Sequence, residues 1–329
     1  MKRLERPPGA TGGNFSEGYI VESGAGQRAF LKALDFSSAL QSPDAARALE
    51  AMTAAYNFER DLLNKCRDNR LDRVVVSIDD GSVSIDPSNP AGVVQYLIFE
   101  LADGDVRSRL ELSTALDTAW KLRSLHHVAT GLFQLHGQGI AHQDLKPSNI
   151  LLFRGSISKI ADLGRAAYQG HEAPHEDYQV AGDWSYAPPE LLYGHLPSDW
   201  SARRYGCDAY LLGSMVVFLF TALSMTSLLL GALHPSQHWR VWRGRFPDIL
   251  PFLREAFGRA VDGFEKSVPE VVRDDLSMML RQLCDPDPAL RGHPLTRARK
   301  GNPYSLERYV SRFNLLAGRA EITLRAGRS

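Results

Sequence analysis

The chain contains one long stretch without a formal charge, the 25 residues 209–233, AYLLGSMVVFLFTALSMTSLLLGAL. A run of this length can span a bilayer, and it is equally typical of a helix buried on all sides in a large helical domain. Five Ser/Thr and two Gly residues in the run, and the lack of a basic cluster at its start, favour the buried helix. The sequence therefore predicts a helical domain large enough to enclose this segment.

Charge and cysteine content argue against several classes of protein. The 329 residues include 38 basic and 38 acidic side chains, so no net charge draws the chain to nucleic acid or to an anionic membrane. Cys66, Cys207 and Cys284 lie far apart, which predicts neither a disulfide framework nor a zinc site. The N-terminus lacks the apolar segment of a secretory signal. We expect a cytoplasmic protein with neither nucleic acid nor a membrane as partner.

The pattern of elements changes near residue 102. GYIVES and RAFLKALD predict a hairpin, and residues 44–66 predict a long helix, whereas the chain beyond residue 102 shows mostly helical periodicity. This order predicts an α+β fold with two lobes around a cleft, a small β-rich lobe with one long helix and a larger helical lobe. We expect the lobes to cover residues 1–101 and 102–300, followed by a basic tail at 301–329 that is packed or solvated.

The segment HQDLKPSN, residues 142–149, combines polar residues that suit a reactive site. Asp144, Lys146 and Asn149 surround Pro147, which is incompatible with a regular helix, so we expect a loop that points all three side chains into one pocket. Eighteen residues after Asp144, Asp162 follows a short apolar strand. Gly164, two residues after Asp162, would permit a sharp turn of the backbone. Two carboxylates and an amide oxygen in one place suit a hard divalent cation such as Mg²⁺.

These motifs closely resemble those of the eukaryotic-type (Hanks-type) protein kinases, whose catalytic loop reads H-R-D-L-x-x-x-N and whose metal motif reads D-F-G; this chain has HQDLKPSN and DLG. The resemblance implies that Asp144 accepts the proton of the substrate hydroxyl, and that Asn149 and Asp162 hold Mg²⁺ or Mn²⁺. It also implies ATP as cofactor and a protein as substrate. Lys146 followed by Pro-Ser-Asn resembles the Ser/Thr branch, in which this lysine neutralises the transferring phosphoryl group.

The same resemblance extends to the strand-rich lobe. Lys32 lies in a predicted strand and needs an anion, and Glu59 lies on the apolar stripe of the 44–66 helix and needs a cation. The family pairs such residues to position the α- and β-phosphates, which implies a Lys32–Glu59 pair. The strand YLIFELADGD resembles the segment that joins the lobes, so the backbone of Glu100 and Ala102 would contact adenine.

The glycine-rich loop is the weakest match to the family. In TGGNFSEGY, Gly13 and Phe15 occupy the expected positions of a nucleotide-binding loop. Thr11 and Ser16 replace glycines, and Gly18 replaces the valine. The loop is therefore expected to differ in shape or stiffness from its family counterpart.

Three further residues match structural positions of the family. YAPPE places Glu190 at the end of the activation segment, which runs from Asp162 to Glu190, and DPDPALR supplies Arg291 as its ion-pair partner. Asp208 matches the acid that begins the buried central helix and braces the backbone of the catalytic loop. This match is the reason to assign residues 209–233 to the core.

Two departures concern regulation. Gln143 replaces the arginine that, in the family, senses phosphorylation of the activation loop, and residues 165–182 contain neither Ser nor Thr. The sequence therefore predicts an enzyme that is not switched on by phospho-Ser/Thr in that segment, with Glu172, Glu176 and Asp177 as candidate fixed charges or as solvated residues. Asp183 replaces a threonine and is expected to pair directly with Lys146.

Three functions remain open from the sequence: an active Ser/Thr protein kinase, a pseudokinase that acts as a nucleotide-binding regulatory module, and a small-molecule phosphotransferase. The kinase is favoured because all five residues of its central machinery are present; they are Lys32, Glu59, Asp144, Asn149 and Asp162. Residues 234–262 are expected to be either a partner-docking insertion or part of the core, with Trp239 and Trp242 packed inside.

Overall fold

The computed structural model of the chain describes residues 2–3, 16–84, 93–112 and 117–326. The chain divides into two compact units, Met1–Asp103 and Gly104–Ser329. The boundary lies two residues from the predicted one. The first unit is dominated by a β-sheet and the second by helices, which confirms the predicted α+β class.

The first unit is an antiparallel sheet with one long helix. Its elements are β1 (Lys2–Arg3), β2 (Ser16–Glu22), β3 (Arg28–Leu34), α1 (Ser37–Leu40), α2 (Ala45–Asp68), β4 (Ser77–Ser84) and β5 (Val93–Glu100). The strands are ordered β1-β2-β3-β5-β4, so β3 lies in the middle of the sheet. The predicted hairpin is present as β2 and β3, paired from Ser16 opposite Leu34 to Glu22 opposite Arg28.

The long helix α2 begins where the sequence predicts it. The side chain of Asp44 accepts a hydrogen bond from the Arg47 N–H and caps the helix. The buried residues of α2 are Tyr56, Glu59, Leu62, Leu63 and Cys66. A carboxylate thus lies among apolar side chains on the buried face of the helix, and it requires a cation there.

The second unit is mainly helical with short strands. Its elements are β6 (Gly104–Asp105), α3 (Val106–Leu112), α4 (Thr118–Gly137), β7 (Ile140–Ala141), β8 (Ile150–Phe153), β9 (Ile157–Ile160), β10 (Ala167–Tyr168), α5 (Pro189–Leu192), α6 (Trp200–Thr221), α7 (Met225–Gly231), α8 (Phe246–Glu265), α9 (Glu270–Leu283), α10 (Pro294–Arg297) and α11 (Glu307–Ala326). The strands form a three-stranded sheet, β6-β8-β9, and a two-stranded one, β10-β7. The segments between these strands carry Gln143, Asp144, Lys146, Asn149 and Asp162.

Helix α6 is the centre of this unit, since every residue from 204 to 219 is buried. The uncharged run is not one helix, however, because α6 ends at Ala222 in the left-handed conformation, with φ 60°, and Ser224 caps α7. Among the described residues no single helix is long and apolar enough to cross a membrane. The pair α6 and α7 passes that test only together, by length and composition, with a bend of 80° between them.

The predicted tail is part of the helical unit. Helix α11 packs along α4, and Arg123 of α4 forms an ion pair with Glu321 at 2.8 Å. Tyr309 and Phe313 of α11 are buried in the main core. Because these aromatic side chains belong to that core, the C-terminal end is packed, as one of the two predicted alternatives has it, and it belongs to the same unit as residues 104–300.

The proposed insertion also contributes to the core. The buried side of α8 includes Ile249, Leu253 and Phe257, and Trp239 and Trp242 are partly buried against the same core. The structure thus agrees with core packing for the two tryptophans.

A buried ion pair ties the short helix α5 to the residues after α9. Arg291 is fully buried and donates two hydrogen bonds to the Glu190 carboxylate, at 2.7 and 2.8 Å. Its guanidinium also donates to the carbonyl oxygens of Gly206 and Asp285. Burial alone lowers the pKa of Arg291, but the adjacent Glu190 raises that pKa above its usual value. The pair therefore stays ionised and fixes the end of the activation segment.

We predict that Arg291→Met destabilises the protein by about 3–5 kcal/mol, because it leaves the Glu190 carboxylate buried without its cation. Urea unfolding of the purified chain measures the change. Arg254→Met is the control, since Arg254 is 47% exposed and pairs with Asp287 at the surface. A surface pair contributes about 1 kcal/mol or less. Equal losses of stability for the two variants would contradict the structural role of the buried pair.

Candidate functional site

The loop at residues 142–149 lies between two strands that hold its ends. Strand β7 pairs with β10 before the loop, and β8 pairs with β9 after it. Lys146 precedes a 3₁₀ turn at Pro147–Asn149, so the loop is compact and Pro147 takes the first position of the turn. The predicted loop is present, and its residues Asp144, Lys146 and Asn149 are all buried.

The carboxylate of Asp144 is held from three sides. Its Oδ1 accepts a hydrogen bond from the Asp183 N–H at 2.8 Å. Its Oδ2 lies 3.0 Å from Lys146 Nζ and accepts a hydrogen bond of 3.1 Å from Asn149 Nδ2. Burial raises the pKa of Asp144, while the Lys146 ammonium opposes that rise. The structure thus brings together the three loop residues predicted for the site, with Lys146 and Asn149 both in contact with the Asp144 carboxylate.

Asn149 is oriented by the same contacts. Its Nδ2 donates both to the backbone oxygen of Asp144, at 2.8 Å, and to the Asp144 carboxylate. With both donors on the nitrogen used, Oδ1 is the acceptor that remains for a cation. This is the orientation that a hard metal ion requires of an amide ligand.

His142 connects this loop to Asp162. Its Nδ1 accepts a hydrogen bond from the Asp144 N–H at 3.2 Å, and its Nε2 lies 3.0 Å from the backbone oxygen of Ala161. These partners assign the ring hydrogen to Nε2. The imidazole therefore couples the position of Asp144 to the residue immediately before Asp162.

The sharp turn at DLG differs from the prediction in detail. Asp162 itself takes the left-handed conformation, with φ 64°, and the 3₁₀ turn Leu163–Arg165 follows it. The prediction placed this conformational demand on Gly164, which is not among the residues with positive φ. Aspartate tolerates the left-handed region better than most side chains, so Asp162 can adopt it with limited strain.

Gln143 and Asp208 connect the loop to the central helix. Asp208 is fully buried, and its carboxylate accepts hydrogen bonds from the backbone N–H of His142, at 2.7 Å, and of Gln143, at 2.8 Å. Gln143 has φ 67°, and its Nε2 donates to the backbone oxygen of Arg204 at 2.8 Å. The backbone brace expected of Asp208 is present in the structure.

Lys146 lies between two carboxylates. Its Nζ is 3.0 Å from Asp144 and 3.7 Å from Asp183, the direct pair that the sequence suggested. The lysine side chain is 5% exposed, whereas that of Asp183 is 17% exposed. Asp183 is also held by its backbone N–H, which donates to Asp144, and by Ser185, whose N–H and hydroxyl donate to the Asp183 carboxylate.

The first unit contains the second predicted pair. Lys32, on the central strand β3, donates to both carboxylate oxygens of Glu59 at 2.9 Å. Glu100 ends β5, and its side chain accepts a hydrogen bond from the Val76 N–H at 2.8 Å. Ala102 follows in the same unit. The adenine contacts assigned to Glu100 and Ala102 stay a prediction, and Gly13 and Phe15 lie outside the described residues.

Three residues contribute to the site without a role assigned to them from the sequence: Gly182, Arg204 and His142. Gly182 packs directly on the loop, since a Cβ there would lie 2.5 Å from the backbone oxygen of Gln143 and 2.6 Å from Asp144 Oδ1. Arg204 contacts both Gln143 and Glu176. The motif could have drawn attention to His142, but no local pattern marks Gly182 or Arg204, because their contacts join residues distant in the chain.

The residues of the two units differ in what they could bind. Asn149 Oδ1 and the Asp162 carboxylate are oxygen donors of the kind that Mg²⁺ and Mn²⁺ take, usually together with phosphate oxygens. Lys32, fixed by Glu59, can present its ammonium to a phosphate group. The donor types therefore fit a divalent cation in the second unit and a phosphate-binding lysine in the first.

Comparison with known proteins identifies the family. The sequence model of the protein kinase domain matches residues 43–292. Cyclin-dependent kinase 12 of Caenorhabditis elegans is 35% identical over 150 residues, which cover 44% of this chain and 19% of that protein. Mitogen-activated protein kinase 14 of Arabidopsis thaliana is 33% identical over 170 residues, which cover 48% of this chain and 45% of that protein. The chain thus spans less than half the length of these relatives. With the family match, the sheet-and-helix architecture and the HQDLKPSN and DLG motifs, it belongs to the protein kinase domain family, as a Hanks-type member.

Proposed function

We propose that this chain is an active Ser/Thr protein kinase that transfers the γ-phosphoryl group of ATP to a protein hydroxyl. The observation that carries the proposal is the buried cluster in which Asp144, Lys146 and Asn149 contact one another. His142 couples this cluster to the residue before Asp162. A buried cluster of an acid, a lysine and an amide that contact one another is typical of a functional site.

Each side chain has a chemical role in this proposal. The Asp144 carboxylate accepts the proton of the substrate hydroxyl, and the Lys146 ammonium stabilises negative charge on the transferring group. Asn149 Oδ1 and Asp162 hold Mg²⁺ or Mn²⁺, which when bound neutralises phosphate charge. Lys32, held by Glu59 at 2.9 Å, orients the nucleotide phosphates.

The proposed specificity for Ser/Thr rests on Lys146. The lysine two residues after Asp144 resembles the Ser/Thr branch, and its Nζ lies 3.0 Å from the base, close to where a hydroxyl would react. The relative named cyclin-dependent kinase 12 is 35% identical over 150 residues, which cover 44% of this chain. A tyrosine-directed enzyme would not be expected to hold a lysine there.

We also propose that activity does not depend on phosphorylation of Ser or Thr in residues 165–182, because that segment contains neither residue. Gln143 supports this proposal, since its side chain is neutral and donates to the backbone oxygen of Arg204 and to Asp208. A neutral amide in this position cannot pair with a phosphate as an arginine would.

A pseudokinase is the second candidate, and Asp183 is the observation that favours it. Its carboxylate lies 3.7 Å from Lys146 and adds negative charge next to the base. A nucleotide-shift assay combined with an autophosphorylation assay separates the candidates: binding without transfer indicates the pseudokinase, and binding with transfer indicates the kinase.

Asp144→Asn is expected to reduce phosphoryl transfer by about 10²–10⁴-fold, because the amide cannot accept the hydroxyl proton. Transfer of ³²P from labelled ATP to a generic protein substrate measures the rate. Nucleotide binding, followed by thermal shift, should survive. The control Asp177→Asn makes the same chemical change at an exposed residue of the activation segment. Unchanged turnover in Asp144→Asn would reject the assignment of the base.

Phosphatase treatment is expected to leave activity within about twofold of the untreated enzyme, since residues 165–182 offer no Ser or Thr to modify. Mass spectrometry of the same samples reports any modification that remains on the segment. Activity that disappears on dephosphorylation of a site in this segment would contradict the proposal.

Gly182→Ala is expected to lower kcat by about 100-fold, because the added methyl group would displace the Gln143 carbonyl or the Asp144 carboxylate. Steady-state kinetics at saturating ATP measure the effect. Gly258→Ala is the control, since a Cβ at Gly258, in α8, meets no atom within 4 Å. A wild-type kcat in Gly182→Ala would show that the close approach does not position the base.

A further inference from the structure

Glu176, in the activation segment, is held by two consecutive arginines at the start of α6. Arg204 Nη2 donates to Glu176 Oε1 at 2.5 Å, and Arg203 Nη2 donates to the backbone oxygen of Glu176 at 2.7 Å. Arg203 Nη1 also lies 3.8 Å from Glu176 Oε1. Both the side chain and the backbone of one acidic residue are therefore anchored to the central helix.

The Arg204 guanidinium is buried, so its contact with Glu176 provides the negative charge that a buried cation requires. The Arg204 side chain is only 4% exposed, while that of Glu176 is 32% exposed. A guanidinium removed from water in this way needs an anion and hydrogen-bond acceptors nearby. The neighbouring His175 does not compete for the role of cation, because burial and the nearby Arg165 lower its pKa to about 4. The positive charge opposite Glu176 therefore comes from the arginines.

Arg204 also contacts the residue next to the base. Its Nη1 donates to Gln143 Oε1 at 3.4 Å, and its backbone oxygen accepts a hydrogen bond from Gln143 Nε2 at 2.8 Å. The Gln143 amide is thus bound at both ends by one arginine, and Asp144 follows it directly in the chain. A continuous series of contacts runs from the activation segment, through Arg204 and Gln143, to the catalytic carboxylate.

We propose that Glu176 is a permanent anion that positions Arg204 against Gln143 and so orders both the activation segment and Asp144 without covalent modification. This inference rests on the proposed kinase activity and names how that site is regulated. Glu176 and Arg204 are positioning residues, since neither touches the reacting groups. Gln143 carries no charge, so the cation that pairs with Glu176 is Arg204, a residue of the central helix.

The test is Glu176→Gln, which keeps the size of the side chain and removes its charge. We expect kcat to fall by about tenfold to a hundredfold, because Asp144 is less well positioned, while KM for ATP stays within about twofold. Asp177→Asn is the matched control: it removes a charge from the adjacent residue, which is exposed and acts on Arg203 only at longer range, without a direct ion pair in the described part of the chain.

Hydrogen exchange followed by mass spectrometry provides a readout that does not need activity. Peptides covering residues 142–145 and 173–182 should exchange faster in Glu176→Gln than in wild type, and at the wild-type rate in Asp177→Asn. Glu176→Asp, which keeps the charge on a shorter side chain, should restore part of both kcat and protection. The melting temperature checks that each variant is folded.

The outcomes separate this inference from the proposed function. An active wild type with unchanged kcat and exchange in Glu176→Gln overturns the positioning role and leaves the kinase assignment intact. Equal losses in Glu176→Gln and Asp177→Asn also overturn it, since the effect would then be one of general charge. A wild type without transfer rejects the kinase assignment, and the exchange data then decide alone whether Glu176 orders the two segments.

Discussion

The buried carboxylate of Asp208 is the contact on which the catalytic loop depends. It accepts hydrogen bonds from two successive backbone N–H groups, those of His142 and Gln143, and it also lies 2.9 Å from His136 Nε2. A charge with no solvent exposure is costly unless it is fully hydrogen-bonded, and here the loop supplies the partners. Because Asp208 belongs to the helix at the centre of the core, the loop takes its position from an element that is buried from residue 204 to residue 219.

The fixed loop then sets the positions of the other reactive groups. His142, whose backbone is held by Asp208, uses its ring to join the Asp144 N–H to the Ala161 carbonyl. Asp162 follows Ala161 directly. The His142 imidazole therefore fixes the backbone of Asp144, the proposed base, relative to the residue before Asp162, the proposed metal ligand. The backbone adds to this link, since the Ala161 N–H donates to the carbonyl oxygen of Asn149 at 2.9 Å. Pre-organisation of this kind is expected where catalysis depends on positioning.

The sequence was sufficient for features that depend on residue type and local spacing. The α+β order could be predicted from the periodicity of the apolar residues. The catalytic loop could be predicted from its motif, and the Lys32–Glu59 contact from two charged side chains in apolar patterns together with the resemblance to the family. The helix near the end of the chain could also be predicted from the sequence, since Tyr309, Phe313 and Leu316 are spaced as one face of a helix. The arginines of the same segment predict a packed or solvated end, and the helix packs along α4.

Other features depend on contacts that local patterns do not contain. The bend after α6 arises where Ala222 adopts φ 60° and Ser224 caps α7, and an alanine carries no signal for that conformation. The turn at DLG falls on Asp162, although Gly164, two residues later, has greater conformational freedom. The contact of Gly182 with Asp144 joins residues far apart in the chain, so only the tertiary structure shows why a side chain is excluded there.

The balance of charge around Lys146 bears directly on whether the site is active. Asp144 and Asp183 both face the one ammonium, so this cluster carries excess negative charge in a largely buried place. Burial raises the pKa of Asp144, as expected for a carboxylate that is favoured to take up a proton. Lys146 is nevertheless closer to Asp144, at 3.0 Å, than to Asp183, at 3.7 Å, and the latter side chain is the more exposed. Asp183 therefore shares the lysine with Asp144, and Asp144 remains the nearer partner.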